Sequence, residues 1–148
     1  MNLNELIKSE SILFLDTIEM KDTIKVLAEK AIELGVVKRE DEFEEAILSR
    51  EELVSTGIGL GISIPHAKMN SIEKFFVILG ICKNGLDWDS VDRKPVRAVF
   101  MIGGPEAEKK EYLRIMSKLI LIMKNEERRN KLFMTDSKDV AEKIFSEF

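Results

Sequence analysis

The sequence predicts a layered α/β fold, a single domain built on a mixed sheet of about five strands with helices on both faces. Residues 75–82 and 95–102 are near-continuous apolar runs of strand length, a pattern that suits strands covered on both sides. Around them, apolar residues recur at helical spacing in segments that begin or end on capping residues. With 148 residues the chain is long enough to bury one core without disulfides or metals, and residues 1–148 are read as one domain.

The elements follow in order. Residues 11–15 are short and apolar and predict a first strand. Residues 22–34 predict a helix, with Ile24, Leu27, Ala28, Ala31 and Leu34 on one face and Gly35 as its C-terminal cap. Residues 40–48 predict a second helix with Phe43, Ala46 and Ile47 inward. Ser49, Arg50, Glu51 and Glu52 form a capping-box pattern, which predicts a separate short turn and puts Arg50 at a helix junction. A glycine-punctuated segment runs from Gly57 to His66. The strand at 75–82 is followed by a predicted turn at Lys83, Asn84 and Gly85, then by the strand at 95–102. Helices are predicted at 106–124, at 126–133 after Asn125, and at 138–148 with Asp136 or Ser137 as cap.

Composition excludes several classes of function. Hydrophobic residues make up 45% and charged residues 34%, an ordinary globular balance. The longest apolar runs fall far short of the roughly 18–20 residues that a spanning helix needs, so no membrane insertion is expected. The first residues have neither the basic start nor the apolar run of a signal peptide, and a cytoplasmic location is expected. The net charge is −4 and no Lys/Arg block or aromatic-basic interleaving occurs, which argues against nucleic acid as a partner. One His and one Cys are too few for a transition-metal site, and no Gly-x-Ser-x-Gly elbow marks a hydrolase. Cys82, inside an apolar run, reads as a small buried hydrophobe.

His66, the only histidine, closes the segment Gly57-Ile58-Gly59-Leu60-Gly61-Ile62-Ser63-Ile64-Pro65-His66-Ala67-Lys68. An imidazole titrates near pH 6.5 when unperturbed, so it can serve as a nucleophile or a proton carrier. It can equally be a loop histidine that caps a backbone carbonyl. The glycines lack the spacing of nucleotide-binding loops, but the amides around Gly59 and Gly61 are candidates for a small anion-binding concavity.

The whole stretch 49–68 closely resembles the enzyme IIA domain of the bacterial phosphoenolpyruvate-dependent sugar phosphotransferase system, of the fructose/mannitol type that includes the nitrogen-regulatory members. Trp88-Asp89-Ser90-Val91-Asp92-Arg93-Lys94-Pro95-Val96 is similar to that family's Asp-x-Pro-Val entry to a strand, and the order of elements fits from Asn4 to Phe148. The resemblance implies that His66 takes a phosphoryl group from the histidine-containing phosphocarrier protein and passes it to an enzyme IIB, for uptake of a fructose- or mannitol-like sugar. The regulatory branch implies a different outcome, in which phosphorylation switches binding to a target protein. Neither implies a cofactor or a metal. Arg50 matches a family arginine close to the active histidine and is the first candidate to stabilise the phosphoryl oxygens. Thr56 and Ser63 are candidate hydroxyl donors, set against the usual role of such groups in satisfying local backbone. Tyr112 stands where many members carry a second histidine. A phenol can donate one hydrogen bond but brings no positive charge, and Tyr112 also shares a packing stripe with Ile115, Met116 and Leu119.

Overall fold

The structure, a computed structural model, describes residues 2–148. Its elements are α1 (Leu3–Leu6), a 3₁₀ turn (Ser9–Ser11), β1 (Ile12–Phe14), α2 (Met20–Glu33), α3 (Glu40–Leu53), β2 (Gly57–Gly59), β3 (Ile62–Ser63), β4 (His66–Lys68), β5 (Phe76–Leu86), β6 (Val96–Gly104), α4 (Lys109–Met123), α5 (Glu126–Met134) and α6 (Lys138–Ile144).

The sheet is mixed and ordered β1-β5-β6-β3-β2, with β4 also on β6. β5 and β6 run antiparallel at its centre, β1 lies parallel to β5, and β3 and β4 lie parallel to β6. Ile62 stands opposite Ala98 and His66 opposite Ile102, so β3 and β4 keep one register and form a single line across the sheet. The line is broken only at Ile64 and Pro65, where proline has no N–H to give to a ladder. Across the break the Pro65 carbonyl accepts the Ile102 N–H at 2.9 Å. The sheet is therefore five positions wide, as predicted, though it contains six strands.

Alternation along β5 divides the core. Val77, Leu79 and Ile81 join Phe100, Ile102, Ile115, Leu119 and Phe145 in the layer under α4 and α6. Ile78 and Cys82 join Leu27, Phe43, Ile47, Val99 and Met101 under α2 and α3. Both faces of the central strands are thus covered, which is why their sequences are apolar without alternation. Truncating a central side chain such as Leu79 to alanine is worth about 2–5 kcal/mol of stability.

Several boundaries depart from the sequence reading. α3 continues through Ser49 instead of breaking there, because Phe43, Ile47 and Glu51 extend one buried face at a spacing of four. Arg50 consequently belongs to the last turn of α3 and not to a junction. Lys83, Asn84 and Gly85 do not turn the chain: they lie within β5, where Gly85 takes φ 87° and the register slips between Ile81 and Leu86. A glycine at a bulge leaves the same trace in sequence as a glycine in a turn. α4 starts at Lys109, later than predicted, and α6 ends at Ile144, earlier than predicted. The caps are largely as read. Gly35, at φ 74°, closes α2 with Gly35 N–H on the Ile32 carbonyl (2.9 Å) and Val36 N–H on the Ala31 carbonyl (3.1 Å), a Schellman motif. Ser137, and not Asp136, caps α6 by accepting the Val140 N–H. Among the described residues no helix is long and apolar enough to cross a membrane.

Candidate functional site

His66 opens β4 near the end of the β3–β4 line and shares the face of Ile62 and Ile64, toward α4. Its ring stacks obliquely on Tyr112 from the first turn of α4, with centroids 4.8 Å apart and planes at 51°. Only 8% of the residue is exposed. Nδ1 lies 2.9 Å from the carbonyl oxygen of Ile64. Pro65 keeps Ile64 extended, and the ring lies back along the strand against that carbonyl. A carbonyl only accepts, so Nδ1 carries the proton and Nε2 carries the lone pair. Burial pushes the imidazole pKa below its ordinary 6.5; the bond to Ile64 opposes this, and the charges of Arg50 and Lys68 reinforce it. The ring is held neutral near pH 7 and is nucleophilic at a single nitrogen.

His66 borders an open depression of about 460 Å³, shared with Arg50, Lys68, Glu106 and Lys109. Three cations therefore line the depression beside one neutral imidazole, against one carboxylate. Arg50 reaches this place from the end of α3, with Nη1 donating to the Val54 carbonyl at 2.9 Å. The Lys68 ammonium stands 5.0 Å above the Tyr112 ring, a cation–π distance. Lys109 is the first residue of the 15-residue helix α4, so the depression also meets the positive end of a helix dipole. The Tyr112 hydroxyl is buried and has no hydrogen-bond partner among the described residues. Burial drives its pKa well above the ordinary phenol value, which keeps it a donor.

The other residues singled out from sequence do not join this group. The Thr56 hydroxyl donates to the buried carboxylate of Glu51, so it is committed. Ser63 is fully buried, and by alternation along the β3–β4 line it points to the face opposite His66. Gly59 and Gly61 do not cradle the ring either. They form the corner of the β2–β3 hairpin at φ 90° and 75°. The Gly59 N–H donates to Ser90 Oγ at 3.2 Å, and the Gly61 carbonyl accepts from the Arg97 and Ala98 amides. Ala98 precedes Ile102 by four residues of strand, which places this corner roughly 13 Å from His66. The segment is a hairpin followed by a strand rather than a loop wrapped round the imidazole.

Glu51, Lys68 and Lys109 were not read from sequence. Lys68 lies two residues beyond His66 in the quoted motif, and Glu51 continues the stripe of Phe43 and Ile47. Lys109 has no comparable signal in the chain itself.

Residues 5–148 match the family described as phosphoenolpyruvate-dependent sugar phosphotransferase system, EIIA 2. A fructose-specific EIIA component from Haloferax volcanii is 36% identical over 124 residues, which is 84% of this chain and 80% of the relative. A nitrogen regulatory protein from Bradyrhizobium diazoefficiens is 31% identical over 133 residues, 89% of this chain and 86% of that protein. The fold is similar to the crystal structure of nitrogen regulatory protein IIA-Ntr from Neisseria meningitidis, with a TM-score of 0.90 at 24% identity, over 97% of this chain and 98% of that one.

Proposed function

This chain belongs to the EIIA type 2 family of the phosphoenolpyruvate-dependent sugar phosphotransferase system, a family of phosphotransfer relay proteins, and we propose that His66 is its relay group. The observation that carries the reading is the Nδ1 contact with Ile64, which leaves Nε2 as the one nitrogen with a free lone pair on a ring that borders a depression lined by three cations. Nε2 attacks the phosphorus carried by the histidine-containing phosphocarrier protein. A new N–P bond forms, the donor nitrogen regains its electron pair, and Nδ1 keeps its proton throughout. The reverse exchange then delivers the group to an enzyme IIB in the cytoplasm. Negative charge spreads over the three phosphoryl oxygens during transfer, and the roles of Arg50, Lys68 and Lys109 follow from that charge. The Arg50 fork suits two of those oxygens, and the Tyr112 phenol supplies one further hydrogen bond.

The sugar served by this relay is fructose- or mannitol-like, a reading supported by the fructose-specific relative. A second reading is supported by the nitrogen regulatory relative: the phosphoryl group acts as a switch on a protein-binding surface, and no sugar is moved. The two readings part in one experiment. The phosphorylated protein is mixed with fructose- and mannitol-specific enzyme IIB domains and the label is followed. Transfer within the mixing time supports the sugar relay, whereas a label retained on His66 in the presence of both supports the switch.

A further inference from the structure

Glu51 is a nearly buried carboxylate, 6% exposed, for which the described residues show no cationic partner. Such a group is costly to bury unless its charge is used in hydrogen bonds. Both of its oxygens are committed to one residue. Oε2 accepts the Thr56 N–H at 3.0 Å, and Oε1 accepts the Thr56 hydroxyl. The Thr56 carbonyl then accepts the Ile64 N–H at 3.1 Å. The Ile64 carbonyl accepts His66 Nδ1–H at 2.9 Å. These bonds tie a carboxylate to an imidazole residue by residue: Thr56 and Ile64 each donate an N–H toward the Glu51 side and accept at the carbonyl from the next group toward His66.

Resting on the reading of His66 as the relay group, we propose that Glu51 is a positioning residue which acts through Thr56 and Ile64 to hold His66 in the Nδ1–H tautomer and so selects Nε2 for phosphoryl transfer. Charge-assisted hydrogen bonds are stronger than neutral ones, so the carboxylate holds Thr56 firmly in place. With Thr56 held by the carboxylate and Ile64 held by Thr56, the Ile64 carbonyl stays aimed at Nδ1, which favours a proton there and leaves the lone pair on Nε2. A carboxylate or carbonyl behind a metal-bound histidine, or behind a catalytic one, does the same over a shorter distance. The arrangement also sets the second member of the site. Thr56 is tied to α3 one residue past Arg50, and Arg50 is itself bonded to Val54 within the same turn. One loop therefore fixes both the nucleophile and the nearest arginine.

Because His66 is the only histidine, its imidazole 15N resonances report the tautomer without ambiguity. The test combines that spectrum with the rate of phosphoryl uptake in four variants. Glu51→Ala removes the charge and both bonds. Glu51→Gln keeps the shape, since its amide can still pair with Thr56, and removes only the charge. Thr56→Val removes the hydroxyl, and Thr56→Ser restores it. The expected result is a protonated Nδ1 in the native protein and a mixture of tautomers in Glu51→Ala, with uptake slower by roughly tenfold to a hundredfold. Glu51→Gln should be intermediate, and Thr56→Ser should recover what Thr56→Val loses. A folded Glu51→Ala with the native tautomer overturns the proposal, whether or not its rate falls, because a slower rate alone assigns Glu51 to the fold. If Glu51→Ala does not fold, Glu51→Gln and Thr56→Val decide by the same criterion. Phosphate found on a residue other than His66 would instead overturn the proposed function, and the tautomer spectra would remain readable on their own.

Discussion

His66 Nδ1 and the carbonyl oxygen of Ile64 lie 2.9 Å apart across Pro65. This contact reconciles two readings that the sequence leaves open, a histidine that caps a backbone carbonyl and a histidine that attacks phosphorus. The ring has two nitrogens, and occupation of one by the backbone is what leaves the other defined.

The neutral state of His66 sets a pH dependence. Its pKa is lowered from 6.5 in the folded protein, chiefly by burial. Between the folded value and about 6.5 the unfolded chain binds more protons than the folded one, so stability rises with pH across that window. The contribution is fully present above about pH 6.5 and is lost as pH falls through the folded value. Titration of the single imidazole by NMR should give a midpoint below 6.5, and His66→Gln should flatten the dependence of Tm on pH in the same window.

Among the described residues Arg50 hydrogen-bonds to a carbonyl at a helix end, so its removal should affect chemistry more than folding. Arg50→Ala should change stability by less than about 1 kcal/mol. Uptake of phosphate should slow by roughly a hundredfold, the usual effect of losing one donor to a transition-state oxyanion. Arg50→Lys should recover only part of the rate, because it restores the charge without the fork. Single-turnover labelling alongside thermal melts separates the two effects.

Tyr112 carries a buried hydroxyl with no hydrogen-bond partner among the described residues while His66 is unphosphorylated. Tyr112→Phe removes that unsatisfied group, so the unphosphorylated variant should be as stable as the native protein or more stable by about 1 kcal/mol. Phosphorylation should reverse the order, since the phosphoryl oxygens lose a donor. Melts of both forms of both proteins check this, and a variant that is equally stable in both forms removes Tyr112 from the site.

Much of the architecture could be read from the chain because its causes are local. β5 and β6 are buried on both faces and are apolar throughout, and Gly35 ends α2 because the backbone there needs positive φ. β2, β3 and β4 could not be read, since they are two or three residues long and interrupted by glycine and proline. The place of His66 followed from the motif. The distance of Gly59 and Gly61 and the approach of Lys109 depend on where β6 and α4 meet the β3–β4 line, which no local pattern encodes, and the committed hydroxyl of Thr56 depends on the end of α3. Glu51 was the hardest to anticipate, because an acid on a buried stripe is explained only by the Thr56 amide and hydroxyl that it meets.

Gly57 ties the hairpin to the 88–93 segment at backbone contact. A Cβ there would stand 2.8 Å from Ser90 Cα, and neither side of that contact is a flexible side chain. Gly57→Ala should destabilise the domain by about 1–3 kcal/mol. Urea unfolding measures the loss.

The most direct test is the phosphorus spectrum of 15N-labelled protein after incubation with phosphoenolpyruvate, enzyme I and the histidine-containing phosphocarrier protein, with His66→Ala beside it. The account predicts one acid-labile phosphoryl group, coupled to Nε2 of His66 and absent from a folded His66→Ala. Phosphorus on Nδ1, or a label that survives in His66→Ala, would contradict it.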